Sequence, residues 1–269
     1  MLGGDRQKEA RPAGAAVVRI RHRIASFFRL LYLVMLAPVL AAQAVRVRRS
    51  TPRLPGAAGP TCGVVPGESA VLRLAVVGES TVAGVGASGH EEALTGRLAW
   101  VLASSGRAVA WQAVGRTGAN ARVVREELVP LVRPADVAVV VLGVNDTIEL
   151  HSAARYRRDL LSVIVVLRRR IGRIPVVLAG VPPMESFPSL PVPLRSVLAR
   201  RAEVLGAAAA ELAVLPAVEY VPMSSDLLGP DLFAADGFHP GPAGYRRWAE
   251  QLGEVTVRAF LVTDWARRG

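Results

Sequence analysis

One cysteine, Cys62, is the chain's whole complement, so no intrachain disulfide can form. No His/Cys spacing of the zinc type is present either. Aromatic residues make up 5% of the sequence against 51% hydrophobic residues, so a core must be built mostly of Val, Leu and Ala. That composition suits buried parallel strands, which are apolar on both faces. Lysine is nearly missing: Lys8 is the only one among 33 basic residues. Internal repeats are absent, and 269 residues suffice for one large domain or a domain with an appendage.

The formal charge of +11 is unevenly spread. Residues 1–53 carry eleven Lys/Arg and only two acids, Asp5 and Glu9. The remainder is close to balanced, which argues against a nucleic-acid-binding domain, since such a domain carries its own basic face. Its one dense basic run, from Arg155 to Arg173, reads as the solvated face of a helix.

Three segments follow: a basic N-terminal segment over 1–49, a Pro/Gly-rich linker over 50–70, and a domain over 71–269. In the first, Arg19, Arg21 and Arg23 precede an apolar stretch from Ile24 to Val45, and Arg46, Arg48 and Arg49 follow it. Its length is near that of a membrane span, although Arg29 interrupts it. It can also lie in the interface with its arginines on anionic lipid. Ala42-Gln43-Ala44 fits a signal cleavage site, and a helix packed on the domain is the bland alternative. The expectation is membrane contact through residues 19–49.

From residue 71 strands and helices alternate. Strands are expected at Val71–Val77, Ala108–Val114, Asp136–Leu142, Ile174–Ala179 and Ala217–Val221. Helices are expected at Glu91–Ser105, Arg122–Val132, Ala153–Arg170, Leu194–Leu212 and Pro242–Phe260. Strict alternation predicts a parallel sheet between two helix layers. In such sheets function collects in the loops at the carboxyl ends of the strands. Polar, glycine-containing segments do follow the strands: Gly78-Glu79-Ser80-Thr81, Gly115-Arg116-Thr117-Gly118, Gly143-Val144-Asn145-Asp146 and Asp236-Gly237-Phe238-His239-Pro240.

A serine hydroxyl is a weak nucleophile and needs a base, which in turn needs a group to orient it. Of four histidines, His22 lies in the basic tail, while His90 and His151 open helices, where a capping or surface role is expected. His239 alone has a carboxylate, Asp236, three residues before it in a Gly/Pro turn. Ser80 is the candidate nucleophile. Each loop also has a bland reading: Ser80 as a helix cap, Gly118 as a positive-φ turn, Asn145-Asp146 as an Asx turn. Their joint placement after successive strands favours the chemical one. The backbone N–H groups of Ser80 and Gly118 and the side-chain amide of Asn145 would then serve as donors to an oxyanion.

These four blocks resemble those of the SGNH (GDSL-type) hydrolase family, named for its Ser, Gly, Asn and His. The likeness spans roughly residues 72–260 in the family's order and spacing. It implies a three-layer α/β/α sandwich with a flavodoxin-like, parallel five-stranded sheet. It also implies an acyl-Ser80 intermediate, His239 held by Asp236, and no metal or organic cofactor. Two departures stand out: Glu79 where the family usually has Asp, and Thr81 where Leu is frequent. The expected activity is hydrolysis of carboxylic esters, whether lipid, lysophospholipid or acetyl esters. An acyltransferase using the same residues, or a non-catalytic membrane-tethered module, is the alternative. The loop Val181–Pro188 reads equally as an apolar wall for an acyl chain or as a rigid connector.

Overall fold

The structure, a computed structural model, describes residues 35–268, with side chains to residue 263. The chain divides into two compact units, Met1–Arg49 and Ser50–Gly269. In the first, the described residues form a helix, α1 (35–50). The cluster Arg19, Arg21, Arg23 and the first half of the apolar stretch that follows it lie outside the described residues, as does His22. Among the described residues no helix is long and apolar enough to cross a membrane.

The second unit is built on six strands: β1 (Cys62–Val65), β2 (Ser69–Gly78), β3 (Arg107–Gly115), β4 (Val137–Val141), β5 (Val176–Ala179) and β6 (Val218–Val221). They lie in the order β1-β3-β2-β4-β5-β6. All neighbours run parallel except β1, which pairs antiparallel with β3. The five parallel strands are those expected from the alternation. The sixth, β1, comes from the stretch expected to be linker. Gly63 lets it lie flat on Trp111, whose ring comes within 2.8 Å of where a Cβ would stand. A further bridge, Ala58 to Gly89, ties the same stretch to the loop before the next helix.

Helices cover both faces. They are α2 (Leu94–Ala103), α3 (Ala121–Val123), α4 (Val144–Ile148), α5 (Ala153–Ile171), α6 (Leu194–Ala210) and α7 (Pro242–Arg268). A π turn and a 3-10 turn continue α3 to Leu131. On one face α2 packs against α7; on the other, α5 packs between α3 and α6. The basic run of α5 is not wholly solvated. Arg168 donates to the carbonyls of Pro216 and Ala217 at 2.8 Å, and Arg170 to that of Val132 at 2.7 Å. The apolar stripe of α5 faces the sheet, burying Tyr156, Leu160, Val163, Ile164 and Leu167. At the sheet's centre, Leu74–Val77 and Val137–Val140 are buried on both faces, which is why both strands read as unbroken apolar runs.

The chain leaves β2 towards α2 on one face and enters β4 from α3 on the other. Between these strands the crossovers diverge and leave a crevice at the carboxyl ends, where ligands of open α/β sheets bind. Gly78 ends β2 there, paired with Gly115 on one side and Val141 on the other. A Cβ at Gly78 would stand 2.1 Å from the Val141 carbonyl oxygen, so no larger residue fits without parting the strands. Gly78→Ala is expected to destabilise the domain by about 2 kcal/mol or more, from overpacking. Thermal unfolding then shows a fall of several degrees.

Candidate active site

Past Gly78 the chain turns sharply. Val82 and Ala83 donate backbone N–H bonds to the Glu79 carbonyl at 3.1 Å, and Val85 donates to that of Ser80 at 3.0 Å. Arg116, at the end of β3, donates its N–H to the Gly78 carbonyl at 3.2 Å, which locks the second loop to the first. Ser80 therefore sits on a stiff turn at the mouth of the crevice.

The structure brings Ser80, His239 and Asp236 into one chain of hydrogen bonds. Ser80 Oγ lies 2.9 Å from His239 Nε2. His239 Nδ1 lies 2.7 Å from Asp236 Oδ2. The other carboxylate oxygen, Asp236 Oδ1, accepts the backbone N–H groups of Phe238 and His239, both at 2.9 Å. A positive φ of 60° at Gly237 closes this turn, and Ala234 N–H donates to the His239 carbonyl at 2.7 Å. Burial would raise the Asp236 carboxyl, but the bonds from the His239 ring and from the two backbone N–H groups outweigh it and hold the carboxyl below its ordinary value. Asp236 is thus an anion that accepts a hydrogen bond from Nδ1–H, which leaves Nε2 free to accept from Ser80.

On the other side of Ser80 stand Gly118 and Asn145. Gly118 has φ +79° and open space where a Cβ would be, so no side chain stands over its backbone. Asn145 is placed otherwise than expected of a free donor. Its Nδ2 donates to Glu79 Oε2 at 2.5 Å and to the Ala119 carbonyl at 3.2 Å, which engages both amide hydrogens. Glu79, 3% exposed, also accepts the Val144 N–H on Oε1 and the Asn145 N–H on Oε2, each at 3.1 Å. One buried carboxylate therefore caps α4 and pins Asn145. Burial pushes its carboxyl up to about 7 despite those three bonds.

Behind Asn145 lies a second cluster. Asp146, fully buried, accepts the Ala121 N–H at 3.0 Å and meets His151 Nδ1 at 2.8 Å. His151 Nε2 lies 3.1 Å from Glu149, which also accepts from Asn120 Nδ2 at 2.6 Å. His151 is therefore buried structure rather than a cap or surface group, and His90 is buried too. The reason is that α4, too short to show periodicity, places Asp146 inward beside both His151 and the loop after β3. Among the described residues no group of three His, Cys, Asp or Glu side chains is arranged to hold a metal ion.

The crevice floor beside Ser80 is apolar, and Pro182 and Phe187 from the Val181–Pro188 loop line it. That loop is therefore a wall of the site. Phe187, Phe233 and Phe238 meet edge to face.

A family model described as the GDSL-like lipase/acylhydrolase family matches residues 76–247. No curated protein matches the chain. Among solved structures, a lipase, Lip_vut3, from a goat rumen metagenome is 17% identical with a TM-score of 0.58, covering 70% of this chain and 99% of that one. TesA is 22% identical with a TM-score of 0.57, at the same coverage. A carbohydrate esterase family 3 protein from Talaromyces cellulolyticus is 15% identical with a TM-score of 0.53, covering 71% and 99%. At such identities these likenesses establish the fold.

The raised carboxyl of Glu79 makes a stability prediction. Unfolded, it titrates near 4.5; folded, near 7. Between those values the folded chain keeps a proton that the unfolded chain has released, so stability falls as pH rises through that window, by at most about 3 kcal/mol. Glu79→Gln has nothing to titrate there. Urea unfolding at stepped pH is expected to show the decline in the parent chain and its loss in the variant.

Proposed function

The chain belongs to the GDSL-like lipase/acylhydrolase family, and from that footing we propose that it is a serine esterase whose nucleophile is Ser80. The observation that carries this is the continuous path Ser80 Oγ–His239 Nε2, His239 Nδ1–Asp236 Oδ2 at 2.9 and 2.7 Å. Both lengths lie within hydrogen-bond reach, and with the ring proton on Nδ1, facing the Asp236 anion, Nε2 is the acceptor that general-base catalysis needs.

As Ser80 Oγ attacks the ester carbonyl, His239 Nε2 takes the hydroxyl proton. The imidazolium so formed is stabilised by the Asp236 anion, which stays charged because two backbone N–H groups hold it. Negative charge grows on the carbonyl oxygen and is met by the backbone N–H groups of Ser80 and Gly118. Asn145 supplies the third donor by pivoting on its short bond to Glu79. The hydrogen it releases for this is the one in the longer, weaker bond to the Ala119 carbonyl. Collapse of the tetrahedral intermediate expels the alcohol, which takes its proton from His239. Water activated by the same nitrogen then attacks the acyl-Ser80 ester and frees the enzyme.

The test is hydrolysis of p-nitrophenyl acetate by the full chain. Ser80→Ala and His239→Ala are each expected to lower kcat by about ten-thousand-fold or more, since members of a triad act as a unit. Asn145→Ala is expected to cost about 100- to 1,000-fold, the usual loss for one oxyanion donor. A p-nitrophenyl phosphonate should leave a mass adduct on Ser80 that Ser80→Ala lacks. Full activity in Ser80→Ala would overturn the reading.

A further inference from the structure

The size of the acyl group follows from the space beside Ser80. The cavity bounded by Ser80, His239, Pro182, Phe187, Phe233 and Phe238 has a volume of about 20 Å³. That is little more than the room one water needs. Apart from Glu79, Ser80, Thr81 and His239 its walls are rings and aliphatic side chains, and the surface it exposes is mostly apolar, so it suits a small apolar group and not a charged one.

The walls are also stiff. Phe187 is 3% exposed and meets Phe233 at 5.5 Å between ring centres and Phe238 at 5.1 Å, with interplanar angles of 70° and 88°. Edge-to-face contacts of this kind hold rings in place. Phe238 in turn lies edge-on to the His239 ring at 5.2 Å. Its backbone N–H is bound to Asp236, so its ring cannot swing aside by moving the chain without disturbing the base. Phe187 follows a 3-10 turn, Met184–Ser186, closed by its own N–H on the Met184 carbonyl, with Pro183 before it and Pro188 after.

The three substituents of the reacting carbon have separate needs. The carbonyl oxygen must face the bare backbone at Gly118. The leaving alcohol must reach His239 Nε2 and then solvent. The acyl chain is left the apolar cavity. Resting on the reading of Ser80 as nucleophile, we propose that the site is selective for short acyl groups, acetyl above all, and that Phe187 sets the limit. A methyl fits the space as it stands, whereas each added methylene must push back a ring that two others hold.

The experiment is a p-nitrophenyl ester series, acetate, butyrate, hexanoate and octanoate, on the full chain. The alcohol is constant, so differences report the acyl end. Turnover of the acetate also requires the aryl group to lie outside a cavity of this size. Expected is a fall in kcat/KM of at least about tenfold from acetate to octanoate, given that one misplaced methylene is worth that much in a hydrophobic pocket. Phe187→Ala is expected to raise the octanoate-to-acetate ratio at least about tenfold, and Phe187→Leu less. Phe233→Ala should move the ratio the same way; circular dichroism checks that each variant folds. A parent chain that prefers octanoate, or a ratio unmoved in the folded variants, overturns the short-acyl limit while leaving the esterase intact. Inertness towards the whole series, with no phosphonate adduct on Ser80, overturns both.

Discussion

A single buried carboxylate ties the two halves of the site together. Glu79 leaves β2 and reaches across to accept three N–H bonds from Val144 and Asn145, beyond β4. Those strands flank the point where the crossovers diverge, and past the Glu79 N–H bond to the Val141 carbonyl the Glu79 side chain carries the link between them. Without this bond, the serine and the residues facing it would be two independent loops. With it, the residue before Ser80 anchors the loop that carries Asn145. Desolvating a carboxyl group is costly, and its raised proton affinity measures that cost. The alternative is an uncapped helix start with two half-buried N–H groups unsatisfied.

A second layer of the same kind lies behind. Asp146 holds the N–H of Ala121, and Glu149 holds Asn120, so the loop carrying Gly118 is fastened to α4 from the rear. His151 sits between the two acids and binds both. Asn145 and Asp146 are neighbours in sequence with opposite duties: one faces the crevice, the other braces the loop that forms its rim.

The features legible in the sequence were those whose chemistry is local. Asp236 and His239 belong to one short turn, so their spacing announces their contact. The parallel strands are buried on both faces and show as apolar runs. Where the partner is distant in sequence, the signal disappears. β1 is four residues long among prolines and glycines, and its pairing with β3 depends on residues some fifty positions away. The five residues of α4 are too few for a helical period, so the inward turn of Asp146 towards His151 could not be read. Asn145 was singled out by its place in a polar loop after an apolar strand. That Glu79 and Ala119 would claim both its hydrogens is a fact of packing. Phe187 and Phe233 come from different loops, and only the fold sets them edge to face.

Asp236 and His239 share one four-residue turn, while Ser80 stands on another strand's loop. Asp236 binds the backbone N–H of the very residue whose ring it steers, so that pair moves as a rigid body. The contact between Ser80 Oγ and His239 Nε2 is the one bond of the Ser80–His239–Asp236 path that crosses between loops. Proton transfer depends steeply on that distance, whereas the imidazole's tautomer does not depend on it at all. On the proposed mechanism the proton path crosses between loops at that bond alone, so its length sets the transfer while the ring's orientation is fixed within its own turn.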